Sequence, residues 1–227
     1  MELLLDTVNI PSIEKYQKII PISGVTSNPS IVKKEGKINF FDHLKQIRKI
    51  IGTDKTLHVQ VVRESTDEII ADAHAILKNV DKDVYIKIPT NKAGLAAMQI
   101  LKSEGVNITA TAIYSTFQGY LAIAAGADYL APYYNRMVNA DIDADLVIRR
   151  LAKKIKESGA ETKILAASFH TVQQIDSALE NGAAAVTFGT DMVDTGLGLA
   201  TISSAVKDFS SDWYSVYGDL SIPELVN

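Results

Sequence analysis

Short runs of β-forming residues alternate with helical hydrophobic patterns along the whole chain, and this alternation constrains the fold more than any other feature. The helical stretches include residues 42–51, 66–77 and 143–158, each with apolar residues on one face. Strand–helix alternation indicates a parallel sheet, because parallel strands need a crossover connection. The eight predicted strands are Glu2–Asp6, Ser23–Thr26, Leu57–Val62, Val84–Ile88, Asn107–Ile113, Tyr129–Tyr133, Lys163–Ser168 and Ala185–Phe188.

The number of these units predicts the topology. Dividing 227 residues among eight units leaves about 28 residues for each, close to the ~30 of a βαβ unit. Eight such units close most simply into an α/β fold of the (β/α)8 TIM-barrel type. The alternative is an open doubly wound sheet, which usually carries a glycine-rich phosphate loop after an early strand. The first loop, residues 7–11, contains no glycine, and the barrel is therefore favoured.

The C-terminal segment is predicted to be an extra helix on a single domain. No linker or shift of composition divides residues 1–227, so we predict one barrel domain with residues 199–227 as a C-terminal helical arm. Phe209, Trp213 and Tyr217 recur at helical spacing in that arm. Such a stripe either covers the barrel's own surface or packs on a neighbouring subunit.

Charge and composition exclude several function classes. The chain has 23 Lys and Arg against 27 Asp and Glu, a net charge of −4 that predicts no nucleic-acid partner. No apolar run reaches the ~18 residues of a membrane span, and the N-terminus lacks a basic signal-peptide region, so a cytoplasmic protein is expected. The absence of Cys excludes disulfides and thiolate zinc sites. The four histidines lack metal-ligand spacing, so we predict no metal and no cofactor.

Polar residues stand at or just beyond the ends of seven of the eight predicted strands. In a barrel of this kind the C-terminal strand ends form the active-site face, so these residues are expected to converge on one mouth. They are Asp6, Thr26, Asn28, Gln60, Lys87, Thr111, Tyr133 and Ser168.

Lys87 is the strongest catalytic candidate in this set. It lies within an apolar strand, and a buried ammonium is costly unless it is paired or neutralised. Burial lowers the pKa of a lysine, and a neutral amine attacks a carbonyl carbon to form a Schiff base. An ion-paired structural lysine is the alternative. The sequence favours a Schiff-base enzyme.

Three further residues are suited to handle protons or water near that lysine. Tyr133 can move a proton if its pKa falls beside a developing iminium, although a packed aromatic with a solvated hydroxyl is its commoner role. Gln60 does not titrate and can only orient water. Asp6 is the one carboxylate of the set and is able to bind a substrate hydroxyl or pair with Lys87.

The chain resembles the small transaldolase-like class I aldolases, a family that includes the fructose-6-phosphate aldolases. Matching segments run nearly from end to end, and together they are highly specific. They are residues 5–7 (LDT), 24–30 (GVTSNPS), 59–61 (VQV), 86–89 (IKIP), 94–97 (GLAA), 131–133 (APY), 135–136 (NR), 166–169 (AASF) and 212–213 (DW).

The resemblance implies a metal-free enzyme that makes or cleaves fructose 6-phosphate from dihydroxyacetone and glyceraldehyde 3-phosphate through Lys87. By the same resemblance Asp6 binds substrate hydroxyls, Thr26 and Asn28 line the donor pocket, and two residues hold the phosphate of the aldehyde half. These phosphate-binding residues are Arg136 and Ser168.

Two activities share this family. The alternative is a transaldolase that transfers a dihydroxyacetone unit between sugar phosphates in the pentose phosphate pathway. Transaldolases resemble this chain but place Glu at the position of Gln60 and Phe at that of Tyr133, and here Thr111 is available to complete a water site. The resemblance therefore favours the aldolase, and it also implies a homo-oligomer, a decamer or a pentamer, with the C-terminal arm exchanged between subunits.

Two alternative functions outside this family remain compatible with the sequence. One is a catalytically inactive barrel used for binding. The other is a deoxyribose-phosphate aldolase, whose lysine normally lies on a later strand than the fourth.

Overall fold

A computed structural model describes residues 1–226. Eight parallel strands form a closed barrel in sequence order, and β8 pairs with β1 to close it. This topology confirms the predicted (β/α)8 barrel. The strands are β1 (Glu2–Asp6), β2 (Gly24–Thr26), β3 (Thr56–Gln60), β4 (Tyr85–Pro89), β5 (Ile108–Ile113), β6 (Tyr129–Pro132), β7 (Lys163–Ala166) and β8 (Ala185–Phe188).

Helices follow every strand, and several begin at a residue whose side chain accepts a hydrogen bond from the first helical turn. Asn28, Ser115 and Thr171 are such N-caps, each at the exit of a strand on the active-site face. The helices are α1 (Ile10–Tyr16), α2 (Pro29–Glu35), α3 (Phe40–Ile51), α4 (Thr66–Asn79), α5 (Lys92–Ser103), α6 (Thr116–Ala124), α7 (Tyr134–Asn139), α8 (Ala144–Ser158), α9 (Val172–Glu180), α10 (Thr190–Leu197) and α11 (Ala200–Tyr217).

The hydrophobic core is built from both layers. Inward-facing Leu4 and Leu165 pack inside the barrel, where Tyr129 and Ala185 join them. Outside it, amphipathic helices cover the strands with one face, as α3 does with its fully buried Leu44 and Ile47. The rigid double layer fixes the positions at which strands end, and with them the positions of the polar residues at the mouth.

Two of the polar residues lie just beyond the strands to which the sequence assigned them. Tyr133 follows the end of β6 and forms a single bridge with Ala167, and its backbone already leads into α7. Ser168 lies two residues after β7 and has a left-handed backbone, with φ of 63°. The departure from extended geometry ends each strand early, so that both side chains are carried on loops.

The chain divides into two compact units, Met1–Thr190 and a second one that begins at Asp191. The first holds the barrel. The second contains nearly all of α10, all of α11 and a 3-10 turn at Ile222–Leu225. A single domain over residues 1–227 with an arm from residue 199 stays a prediction.

Candidate active site

A cavity of about 390 Å³ opens at the C-terminal ends of the strands. Seven of the nine candidate residues line it, so the convergence expected from the strand ends is present in the structure. The lining residues are Asp6, Asn28, Pro29, Ser30, Ile31, Lys34, Gln60, Lys87, Ala112, Tyr133, Arg136, Ala167 and Ser168.

Lys87 lies in the middle of β4 and is only 2% exposed. Its strand pairs it with Gln60 on β3 and with Thr109 on β5, which places it between two polar neighbours. Burial lowers the pKa of the Lys87 ammonium, and the negative charge of Asp6 opposes this effect. The lysine thus combines access to the cavity with an environment that favours its neutral, nucleophilic form.

The carboxylate of Asp6 accepts a hydrogen bond from Thr26, which in turn contacts Thr187. Thr26 Oγ1 donates to Asp6 Oδ1 over 2.5 Å, and its oxygen also lies 2.6 Å from Thr187 Oγ1 on β8. Thr26 is fully buried. The structure therefore connects Thr26 to the site through Asp6, whereas the family resemblance implied that it lines the donor pocket.

Tyr133 is paired with Thr111 across the end of β5. Thr111 Oγ1 donates to the Tyr133 phenol over 3.0 Å, and Thr111 is fully buried. Burial raises the pKa of the Tyr133 phenol above its ordinary value, although the bond from Thr111 and the charge of Arg136 oppose the rise. Before a substrate cation forms, the environment of Tyr133 therefore favours the neutral phenol, and the lowered pKa expected beside an iminium stays a prediction.

The rim of the cavity is positively charged. Arg136 lies over the ring of Tyr133, 4.9 Å from its centre, and its Nη1 donates to the Tyr114 hydroxyl over 3.3 Å. Lys34 adds a second cation, and Ser168 contributes a hydroxyl to the same cavity. A guanidinium with a neighbouring hydroxyl suits a phosphate group.

Sequence reasoning did not single out Tyr114 and Lys34. Tyr114 directly follows β5, and its place at a strand exit was the signal available. Lys34 lies six residues after Asn28, near the end of α2, and a short helix after a strand gives no indication of which side chain turns back to the mouth.

Gln60 lies beside Lys87 with its amide oxygen unused. Among residues 1–226, Gln60 Oε1 is the one buried side-chain oxygen or nitrogen that has no hydrogen-bond partner. A buried acceptor of this kind is costly unless a water or substrate atom satisfies it. Gln60 is therefore suited to orient a water molecule in the cavity.

His58 precedes Gln60 by two residues on β3, lies deeper in the barrel and is fully buried. Its Nδ1 is 2.8 Å from Thr109 Oγ1, its Nε2 is 2.9 Å from Thr56 Oγ1, and its ring stacks on Tyr85. Burial, with the charge of Lys87, holds the pKa of His58 well below its usual range. It is a neutral core histidine with both ring nitrogens in hydrogen-bond contact with threonine hydroxyls.

Residues 1–226 contain no group of three or more His, Cys, Asp or Glu side chains placed to hold a metal ion. Over the same residues, no helix has the length and apolar character that crossing a bilayer requires.

A barrel with a buried strand lysine facing its C-terminal cavity is typical of the class I aldolases. Residues 3–218 match the family described as Transaldolase/Fructose-6-phosphate aldolase. The chain is also 50% identical, over 222 residues, to a protein of Streptococcus pneumoniae (strain ATCC 700669 / Spain 23F-1) named "Probable fructose-6-phosphate aldolase", with 98% of this chain and 100% of that protein covered. The chain belongs to the transaldolase/fructose-6-phosphate aldolase family.

Membership of this family confirms the resemblance carried by the sequence motifs. It makes the chain an enzyme of the aldolase and transaldolase class, whose members act on sugar phosphates through a Schiff base.

Proposed function

We propose that this chain reversibly cleaves fructose 6-phosphate to dihydroxyacetone and glyceraldehyde 3-phosphate, with Lys87 as the Schiff-base lysine. The observation that carries the proposal is the shared cavity: the buried Lys87 opens into the same space as the Asp6 carboxylate and the Tyr133 phenol. A nucleophilic amine, an acceptor for substrate hydroxyls and a proton-transfer group are the parts that such a cleavage needs.

In the proposed mechanism the neutral Lys87 amine attacks the C2 carbonyl to give a carbinolamine. The carbinolamine hydroxyl takes a proton from the Tyr133 phenol and leaves as water, which forms an iminium. The C4 hydroxyl loses its proton, the C3–C4 bond breaks, and the electron pair moves toward the iminium nitrogen as an enamine forms. Glyceraldehyde 3-phosphate departs. Protonation of C3 and hydrolysis of the resulting iminium then release dihydroxyacetone and restore Lys87.

Tyr133 is proposed to accept the C4 hydroxyl proton and return it to C3. Because burial raises the pKa of its phenol, Tyr133 enters the reaction protonated. It gives this proton to the departing water, and the resulting phenolate, stabilised by the positive iminium beside it, is then the acceptor for the C4 hydroxyl proton. Thr111 holds the phenol, and Gln60 Oε1 orients the water consumed in hydrolysis.

The two ends of the substrate are assigned to opposite sides of the cavity. Asp6, held by Thr26, and Asn28 are proposed to bind the hydroxyls of the dihydroxyacetone half. Arg136 and Ser168 are proposed to bind the phosphate of the aldehyde half. A guanidinium held by Tyr114 presents its remaining N–H groups to an anion at little cost in side-chain freedom.

One incubation tests the proposal against the transaldolase alternative. Purified enzyme is mixed with fructose 6-phosphate alone, and free dihydroxyacetone is measured. Release without an acceptor aldehyde supports the aldolase, whereas turnover that requires added erythrose 4-phosphate overturns it in favour of the transferase.

The assembly state is proposed to be a homo-oligomer, a pentamer or a decamer, in which α11 packs on another subunit. The helix carries Ile202, Val206, Phe209 and Trp213 along one face, and Phe209 is 70% exposed. A helix with this much exposed apolar surface is typical of an interface. We also propose a cytoplasmic location, since charged sugar phosphates do not cross a bilayer unaided.

A further inference from the structure

Two loops of the barrel mouth share one hydrogen-bonded arrangement at identical spacing. In each, a left-handed residue other than glycine is followed two residues later by a backbone N–H that donates to a glutamine side chain. That glutamine is the third residue of the next helix, whose N-cap is Ser or Thr. The loops run from Ala112 to Gln118 and from Ser168 to Gln174.

The first glutamine connects the loops after β4 and β5. Gln118 Oε1 accepts from the Tyr114 N–H over 2.9 Å. Its Nε2 donates to Thr90 O over 2.9 Å and to Ala112 O over 3.1 Å. Ala112 lines the cavity with a φ of 54°, and its chain neighbour is Thr111. One amide therefore holds the strand that carries Lys87 beside the residue that positions Tyr133.

The second glutamine connects the loops after β6 and β7. Gln174 Oε1 accepts from the His170 N–H over 2.8 Å, and its Nε2 donates to Asn135 Oδ1 over 3.0 Å. The backbone N–H of Asn135 in turn donates to Ser168 O over 2.8 Å. Asn135 directly precedes Arg136 in the chain, so this amide links the two residues assigned to the phosphate.

We propose that Gln118 and Gln174 are paired positioning residues, the first for the proton-transfer group and the second for the phosphate subsite. This inference rests on the proposed function of the cavity. A left-handed backbone at Ala112 and Ser168 is unfavourable for residues other than glycine and persists only where surrounding contacts impose it. The glutamine amides supply such contacts from outside the cavity, without touching the substrate.

The two amides act on different steps, so their loss has different kinetic signatures. Gln118→Met keeps the length of the side chain and removes its hydrogen bonds, and it is expected to lower kcat by about ten- to a hundredfold with little change in KM. Gln174→Met is expected to raise the KM for glyceraldehyde 3-phosphate about tenfold, as when a bond to a charged group is weakened, and to spare the KM for unphosphorylated glyceraldehyde.

Matched controls are available on neighbouring helix surfaces. Gln173→Met changes the exposed residue next to Gln174, and Gln99→Met removes an exposed glutamine that bonds Leu95 within its own helix. Synthesis from dihydroxyacetone is measured with each aldehyde, and rates are divided by the fraction of Lys87 that cyanoborohydride traps. Amide hydrogen exchange at Tyr114 and His170 reports directly on the two loops and should accelerate in the matching variant.

Substitution by glutamate separates the two sites further. Gln174→Glu keeps the acceptor for His170, and its partner Asn135 can rotate its amide to donate, so the KM for the phosphorylated aldehyde should stay within about twofold of the wild type. In Gln118→Glu the new carboxylate faces two backbone carbonyl oxygens, which cannot donate a hydrogen bond to it. The kcat of this variant should therefore fall as in Gln118→Met.

Several outcomes overturn the inference. They are unchanged amide exchange in the methionine variants, an equal rise in KM for both aldehydes in Gln174→Met, or losses no larger than those of the controls. Failure of the proposed function is distinguishable, because the wild type itself would then show no trapped Lys87 and no dihydroxyacetone-dependent synthesis.

Discussion

Thr111 Oγ1 donates a 3.0 Å hydrogen bond to the phenolic oxygen of Tyr133. A phenol has one proton to donate, and its oxygen can accept at the same time. With Thr111 as the donor in this pair, the proton of Tyr133 remains available to the cavity that its side chain lines. The bond also lowers the pKa of the phenol, in opposition to the effect of burial.

Removal of the Tyr133 hydroxyl should therefore slow the aldolase reaction strongly. Loss of a proton-transfer group typically costs ~10²–10⁴ in rate, and Tyr133→Phe is expected to fall in that range in a fructose 6-phosphate cleavage assay. Tyr120→Phe, a partly buried tyrosine on α6, is the control and should retain activity. Full activity with an unchanged pH profile in Tyr133→Phe would transfer the proton-handling role to Asp6.

The Schiff base should form at Lys87 alone. Borohydride with dihydroxyacetone is expected to add irreversible mass at this residue, read by peptide mass spectrometry. Lys87→Met should abolish turnover and keep the fold, because an unbranched apolar side chain fills the buried position without a charge. Lys33→Met, on the exposed face of α2, is the control. Mass on Lys33 with Lys87 unmodified contradicts the assignment.

Imine formation at Lys87 should depend on pH in a direction set by its surroundings. The neutral amine becomes more abundant as the pH rises through the pKa of Lys87. Because burial lowers this pKa, the neutral form appears at a lower pH than for an ordinary lysine. Asp6→Asn removes the charge that opposes this effect, so the midpoint of cyanoborohydride trapping should move to lower pH. Asp67→Asn, exposed on α4, should leave it in place. A shift to higher pH in Asp6→Asn would disprove the interaction.

Gln60→Glu should change the fate of the enamine. It replaces the unpartnered amide oxygen with an ionisable carboxyl at the water site. The ratio of transfer to erythrose 4-phosphate over release of free dihydroxyacetone is expected to rise, measured by product analysis with and without the acceptor. Combined with Tyr133→Phe, the effects should not add, because both changes act on one proton path. If the ratio of transfer to release equals that of the wild type, Gln60 does not determine which of the two reactions the enzyme performs.

Deletion of the chain after Asp208 should lower the mass of the assembly in light scattering. It removes Phe209, Trp213 and Tyr217. With them go the tilted contact of the Trp213 and Tyr217 rings, whose centres are 4.5 Å apart, and the bond from Trp213 Nε1 to Leu220 O. Far-ultraviolet circular dichroism provides the control for an intact barrel. A full-length protein that is monomeric at micromolar concentration would contradict the proposed interface.

The sequence was sufficient to predict the barrel and the burial of Lys87 in one of its strands, because strand periodicity and an apolar run around one lysine are local signals. It gave no measure of the burial that raises the pKa of Tyr133 in the free enzyme, which depends on residues distant in the chain. The contacts of Thr26 could not be predicted for the same reason, because its partner Thr187 lies on the last strand. Gln118 and Gln174 each stand three residues after a capping Ser or Thr, a recognisable pattern whose importance depends on tertiary partners.

The closure of β1 against β8 has a consequence for biosynthesis. Thr26 bonds to a residue that is synthesised 161 positions later, and β1 gains its second neighbour only when Ala185–Phe188 emerge. Because domains tend to fold as units during synthesis, a nascent chain that ends near residue 180 still has an open sheet with an unpaired edge at β1. Translation products that stall or end at this point therefore carry every proposed active-site residue but lack β8, which closes the barrel around them. They also expose the edge of β1, where aggregation or chaperone binding can begin.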